Sequence, residues 1–97
     1  MPKAYWIATY RTINDPAKMA KYGALAGPAI VAGGGKFLAR SVAAEAYEAG
    51  IKARTVLIEF PSVAAATATH DSPAYQEALA ALDGGAEREI RIVEGAE

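Results

Sequence analysis

The stretch that decides the fold runs Arg54-Thr55-Val56-Leu57-Ile58-Glu59-Phe60-Pro61-Ser62. Its apolar and β-branched residues predict a strand over 52–60. Because side chains alternate along a strand, Val56, Ile58 and Phe60 share one face, which we expect to lie under helices. Glu59 lies on the opposite face, as an acid inside an apolar strand. The Pro-Ser pair that follows predicts a turn from this strand into a helix.

Two helix starts follow this strand. Ser62 can accept from the free amide groups at the start of a helix over 63–70, and Ser72-Pro73 gives the same signal for a helix through Leu82. Gly84-Gly85 ends that helix. Ser72 is therefore predicted to be a helix cap and not a nucleophile, since no Gly-x-Ser-x-Gly elbow surrounds it.

An earlier helix begins at Asp15-Pro16, where the carboxylate can accept from backbone amides and proline has no amide to lose. Met19, Tyr22 and Ala26 recur at helical spacing along it and predict one apolar face. We expect Gly27-Pro28 to interrupt this helix, since a proline ring inside a helix clashes with the carbonyl four residues before it. The glycines at 33–35 end it.

The remaining strands complete the pattern. They are predicted over 4–12, over 36–48 with a bend near 41–44, and over 89–93. The order strand, helix, strand, strand, helix, strand predicts an α+β fold of the ferredoxin-like type, a single domain over 1–97. Its four-stranded antiparallel sheet carries the helices on one face, so the other face must be solvated or covered by something else.

Composition limits the kind of partner. The formal net charge of -1 over 97 residues predicts neither nucleic-acid nor membrane binding, and cysteine is absent. There is no apolar run long enough to span a bilayer and no signal-peptide pattern at the start, so we expect a cytoplasmic protein. Trp6, Tyr10 and Leu57 are expected to be available on a small sheet that needs covering. We therefore expect a homodimer that buries upwards of about 2,000 Å² in total.

Five motifs occur in a fixed order along the chain: Tyr5-Trp6-Ile7-Ala8, Gly34-Gly35-Lys36-Phe37-Leu38-Ala39-Arg40, Ile58-Glu59-Phe60-Pro61-Ser62, Asp71-Ser72-Pro73-Ala74-Tyr75-Gln76 and Ile92-Val93-Glu94-Gly95. Together they resemble the domain of unknown function 1330 family, a branch of the dimeric α/β-barrel superfamily. The resemblance implies a ferredoxin-like protomer and a dimer with a barrel between the sheets, but no activity. The chain departs from the family pattern at Ser41-Val42, where glycine is usual after Arg40, and at Thr69-His70, where aromatic residues are usual.

Six residues are candidates for a ligand site: Trp6, Tyr10, Arg40, Glu59, His70 and Tyr75. We expect Glu59 to pair with Arg40 across the hairpin, or with Arg54, because a carboxylate among apolar residues is costly unless paired. The pair would serve either as a structural ion pair or as a base or ligand anchor.

The aromatic candidates, with Tyr22, could line a cavity or fill the core. His70 is the only histidine in the sequence and would carry acid–base chemistry near neutral pH, although a helix-capping role is favoured. Neither a cofactor nor a metal site is predicted.

These residues favour a protein that binds a small, partly apolar molecule. The alternatives are a cofactor-independent enzyme of the monooxygenase or isomerase kind, and a structural or interaction module without a ligand. The fold cannot decide among them, because one fold supports unrelated activities. A cavity with converging polar groups would favour the first two readings.

Overall fold

The computed structural model describes residues 2–96, so Met1 and Glu97, the ends of the predicted domain, lie outside the described residues. Within that range the elements are β1 (Ala4–Ile13), α1 (Pro16–Ala32), β2 (Lys36–Val42), β3 (Arg54–Phe60), α2 (Val63–Asp71), α3 (Pro73–Leu82) and β4 (Ala86–Glu94). The strands pair antiparallel in the order β2-β3-β1-β4. This is the ferredoxin-like arrangement that the sequence predicted. No helix in this part of the chain is long and apolar enough to cross a membrane.

The predicted helix caps are confirmed. Asp15 Oδ1 accepts from the backbone N–H groups of Ala17 and Lys18 at 3.0 and 3.2 Å. Ser62 Oγ accepts from the amide of Ala65 at 3.1 Å. Ser72 ends α2 and begins α3, where its Oγ accepts from the amide of Tyr75 at 3.3 Å. Each cap satisfies amides that have no partner inside the helix.

The expected interruption of α1 at Pro28 is wrong, because the helix runs unbroken from Pro16 to Ala32. A residue before proline normally avoids the helical conformation, since its Cβ meets the proline ring. Gly27 has no Cβ and so removes that clash. Ala24, whose carbonyl loses its usual donor, lies on the exposed side of the helix, where water can replace the missing amide.

The core lies between the helices and one face of the sheet. Val56, Ile58 and Phe60 are buried there, as predicted. Trp6 and Tyr10 are buried on the same face, so the expectation that they are available to a second chain is wrong. Leu57 does lie on the opposite face, where it pairs with Ile7.

Strand β2 is shorter than expected. It ends at Val42, and residues 43–53 form no strand, so the predicted extension to residue 48 is wrong. Its register shifts between Phe37 and Ala39 instead of near 41–44. Such a shift is a β-bulge, which adds one residue to one strand and reverses which face the following side chains point to. This reversal decides the position of Arg40.

Replacing Pro28 by alanine tests the account of α1. We expect Pro28→Ala to raise the free energy of unfolding by about 1–3 kcal/mol, because it restores an interior hydrogen bond. Pro16→Ala is the matched control. Pro16→Ala should leave the free energy of unfolding unchanged or lower it slightly, since proline is favourable at the first helical position. Urea denaturation followed by circular dichroism measures both, and a destabilised Pro28→Ala protein would contradict this account.

Candidate functional site

The bulge in β2 turns Arg40 toward the helices. Arg40 pairs with Val56, whose side chain is buried under α1, whereas Ala39 pairs with Leu57 on the open face. In an unshifted register Arg40 would have opposed Thr55 and shared a face with Glu59. The bulge therefore places Arg40 and Glu59 on opposite faces of the sheet, and the register also keeps them apart, since Lys36 is the residue that pairs with Glu59.

A cavity of about 60 Å³ lies between α1 and the sheet. On the scale where 10–15 Å³ holds one water, it has room for about four or five water-sized groups. Small residues on both sides leave this space open: Ala8 on the sheet, and Gly23, Ala26 and Gly27 on α1.

The cavity has an apolar end and a polar end. Strand pairing aligns Trp6, Ile58 and Phe37 in one row across the sheet, which forms the apolar end. Four residues after Trp6 along β1, Tyr10 pairs with Arg88. Arg54 lies on the same face of β3, two residues before Val56. Both arginines and Tyr10 line the cavity, with Arg40 between the two ends.

Arg88 is held by tyrosine hydroxyls. Its Nη1 donates to the Tyr10 oxygen at 2.7 Å and its Nη2 to the Tyr75 oxygen at 3.3 Å. The Tyr75 and Tyr22 hydroxyls share a hydrogen bond of 2.6 Å. The guanidinium carbon also lies 4.4 Å from the centre of the Tyr22 ring, within cation–π range.

Burial and the contacts among these groups both shift their pKa values. Burial raises the pKa of Tyr10 above its usual value, against the lowering effect of Arg88. Burial, together with Tyr22, also raises the pKa of Tyr75 well above its usual range. Burial by itself lowers the pKa of Arg88, but the oxygens of Tyr22, Tyr10 and Tyr75 outweigh it and raise that pKa overall. At neutral pH, Tyr10 and Tyr75 are therefore neutral phenols and Arg88 is a cation.

Arg54 and Arg40 make fewer contacts. The Arg54 guanidinium carbon lies 6.0 Å from the Tyr10 ring centre, and the Arg40 guanidinium carbon lies 4.3 Å from the Phe37 ring centre. The Nε of Arg54 is buried and has no hydrogen-bond partner among residues 2–96. The ion pairs in this range join other residues: Lys3–Glu59, Lys18–Asp83, His70–Asp71 and Arg91–Glu89. No carboxylate of the described residues balances the cavity arginines.

The structure brings together only some of the predicted site residues. Trp6, Tyr10 and Arg40 line the cavity, and Tyr75 lies behind it, bonded to Tyr22 and Arg88. The predicted pairing of Glu59 with Arg40 or Arg54 is wrong. Glu59 lies on the other face of the sheet, where Lys3 Nζ is 3.4 Å from its Oε1.

His70 lies outside the cavity, in the last turn of α2. Its ring centre is 5.7 Å from that of Trp6 and 5.3 Å from that of Tyr75, and its Nδ1 is 3.0 Å from Asp71 Oδ1. Within residues 2–96 no three acidic or histidine side chains cluster closely enough to hold a metal ion. His70 therefore contributes to aromatic packing beside Trp6.

Arg88 is not among the residues predicted from the sequence, and Arg54 was predicted only as a partner for Glu59. The alternation of Arg88, Ile90 and Ile92 along β4 carried a signal, because it places one arginine on the face that is otherwise apolar. The pairing of Arg88 with Tyr10 depends on strand register, which the sequence does not specify.

The chain matches the family described as "Domain of unknown function (DUF1330)" over residues 3–96. A protein of unknown function from Rhodopseudomonas palustris has a similar structure, with a TM-score of 0.74, 18% identity, and coverage of 99% of this chain and 84% of that one. SnoaB, a cofactor-independent oxygenase from Streptomyces nogalater, is similar with a TM-score of 0.67, 13% identity, and coverage of 100% and 96%. No curated protein matches the sequence at a significant level. At these identities the structural likeness shows the fold alone.

Arg54 and Arg88 are expected to differ in their effect on stability. Arg54→Met should leave the free energy of unfolding unchanged or raise it by about 1 kcal/mol, because it removes a buried donor that has no partner. Arg88→Met should lower it by about 2 kcal/mol, because Tyr10 and Tyr75 lose a charged donor. Thermal and urea unfolding of both variants provide the measurement. Equal destabilisation of the two would contradict the contrast between a bonded and an unbonded guanidinium.

Proposed function

Since the chain belongs to the DUF1330 family, whose description names no activity, we propose a function from its cavity: the protein binds a small, partly apolar molecule between α1 and the sheet. The observation that carries the proposal is the two-ended lining, with Trp6 and its apolar row at one end and Tyr10, Arg54 and Arg88 at the other. Small-molecule sites combine an apolar wall with a few placed polar groups in this way.

The size of the cavity restricts the ligand. A volume of about 60 Å³ is well below the several hundred Å³ of sites for drug-sized molecules. The bound group is therefore either a molecule of a few heavy atoms or one end of a larger molecule. Four-carbon compounds are suitable probes of this space.

An oxygenase activity like that named for SnoaB is the second candidate, and the lining supports it less well. General-base catalysis needs a group with a pKa near the working pH, most often histidine or a carboxylate. Of the described lining residues none is of either kind. The pKa of Tyr10 is raised by burial, so its phenol does not act as a base at neutral pH. The cavity is better equipped to hold a molecule than to remove a proton from it.

Filling the cavity tests the binding proposal. We expect at least one of butanoate, butanamide and 1-butanol to shift the ¹⁵N–¹H signals of cavity-lining residues and of the Trp6 indole. Ala8→Val adds volume to the sheet side and should weaken that binding by about tenfold. Thr9→Val, at the next position on the other face, is the control and should leave binding unchanged. The proposal would be contradicted if the probes shifted the cavity signals equally in Ala8→Val, or if none of the three probes shifted them in the natural chain.

The proposal includes a homodimer formed through the open face of the sheet. Tyr5, Ile7 and Leu57 lie there, and Val93 is 49% exposed. An antiparallel sheet with a solvated face usually carries polar residues on that face, whereas here the apolar patch lies among polar residues such as Thr9, Glu59 and Arg91. A second sheet packed against it would give the dimeric α/β barrel that the family resemblance implies. Since the sequence holds no cysteine to protect or oxidise, we also propose a cytoplasmic location.

A lysine on this face tests the dimer. In sedimentation experiments at micromolar concentration, the natural chain should have about twice its 10.1 kDa mass, and Leu57→Lys should be monomeric because a charge is buried without a partner. Val31→Lys, at a residue 61% exposed on α1, is the control and should remain dimeric. A natural chain that sediments as a monomer over this range would overturn the dimer.

A further inference from the structure

We propose that the cavity recognises a carboxylate, held by Arg54 and Arg88 with its apolar portion directed toward Trp6. The proposal rests on the binding function above and names the chemical class of its ligand. Its support comes from the direction of the hydrogen bonds at the polar end, from the balance of charge and from the shape of the space.

At the polar end of the cavity the tyrosine oxygens already accept hydrogen bonds, so the groups left free are donors. A guanidinium group only donates, so the Tyr10 and Tyr75 oxygens both accept from Arg88. Either hydroxyl could donate in the 2.6 Å bond between Tyr75 and Tyr22. Because Tyr75 is fully buried and already accepts from Arg88, donation by Tyr75 is the direction that gives its proton an acceptor. The hydroxyl protons of Tyr10 and Tyr22, both of which line the cavity, are then left to donate. A ligand that accepts hydrogen bonds is the complement of this end.

The charge balance calls for an anion. Arg40, Arg54 and Arg88 line one cavity in a chain whose formal net charge is -1. The ion pairs of residues 2–96 involve none of the three. Arg54 also keeps its Nε buried without a hydrogen bond to any of residues 2–96, an arrangement that costs free energy. An anion would supply both the opposite charge and the missing acceptor, whereas a neutral ligand would supply only an acceptor.

The shape favours a carboxylate over a phosphate. A planar carboxylate matches the fork of a guanidinium group through two parallel hydrogen bonds. Inorganic phosphate would leave the row of Trp6, Ile58 and Phe37 without an apolar partner. A short carboxylic acid satisfies the arginines with one end and covers the apolar row with the other, within about 60 Å³.

Matched probes test this inference. Isothermal titration with butanoate and with butanamide compares ligands of nearly equal shape that differ in charge. We expect butanoate to bind the natural chain about tenfold more tightly or better, and Arg54→Gln to remove that preference. The buried Nε of Arg54 has no hydrogen-bond partner among residues 2–96, so this variant should fold, as circular dichroism will verify. Arg11→Gln is the control: it removes the same charge from an exposed residue next to Tyr10 that does not line the cavity.

Each outcome separates the inference from the binding function. If butanamide binds as tightly as butanoate and shifts the cavity signals, the carboxylate inference fails and the binding function stands. If inorganic phosphate competes with butanoate and binds more tightly, the assignment of a carboxylate ligand is also overturned. If Arg54→Gln still prefers butanoate over butanamide, or if Arg11→Gln loses that preference equally, Arg54 is not the residue that binds the carboxylate. If none of butanoate, butanamide and 1-butanol shifts a cavity signal, both the inference and the binding function fail, whereas binding of 1-butanol alone would overturn only the inference.

Discussion

The structure depends on the aromatic cluster around Trp6. Its ring lies 5.0 Å from Tyr75 in an edge-on arrangement and 6.0 Å from Phe60, centre to centre. Aromatic pairs in such geometries add to the free energy of simple burial. The cluster fixes α3 against the middle of the sheet, and the Tyr75 hydroxyl then bonds to Tyr22 on α1. Both α1 and α3 are thus positioned from one buried tryptophan, and the cavity is the space that this arrangement leaves under α1.

The space stays open because of the residues that surround the cluster. Ala8 follows Trp6 on the same face of β1, and Gly23 and Ala26 lie across from it on α1. A core of average packing density would fill such a space, since voids lose dispersion contacts. A site that keeps small residues on both walls, and a half-buried arginine whose Nε has no hydrogen-bond partner among residues 2–96, sacrifices stability locally. Such local costs are typical of functional sites.

Much of the fold could be predicted from the sequence because its signals are local. Asp15, Ser62 and Ser72 cap helices through bonds to residues two or three positions away, and β3 shows its faces by simple alternation. The failures involve relations between distant segments. The bulge before Ala39 is set by the pairing of β2 with β3, and it moves Arg40 to the other face. The predicted interruption of α1 at Pro28 failed for a local reason, since Gly27 lets the helix continue through a proline that would otherwise end it.

The candidate site was harder to predict than the fold because its charges come from separate strands. Arg40, Arg54 and Arg88 lie on β2, β3 and β4, and nothing in their spacing along the chain indicates that they share a cavity. The similar structures at 13–18% identity establish the scaffold but not these side chains. Within the site two of these arginines differ in their bonding. Arg88 is bonded to tyrosines and helps to hold the elements together, whereas the buried Nε of Arg54 has no hydrogen-bond partner among residues 2–96. A buried donor of this kind is the group to which an accepting ligand can add a bond, and so the proposed recognition of a carboxylate depends above all on Arg54.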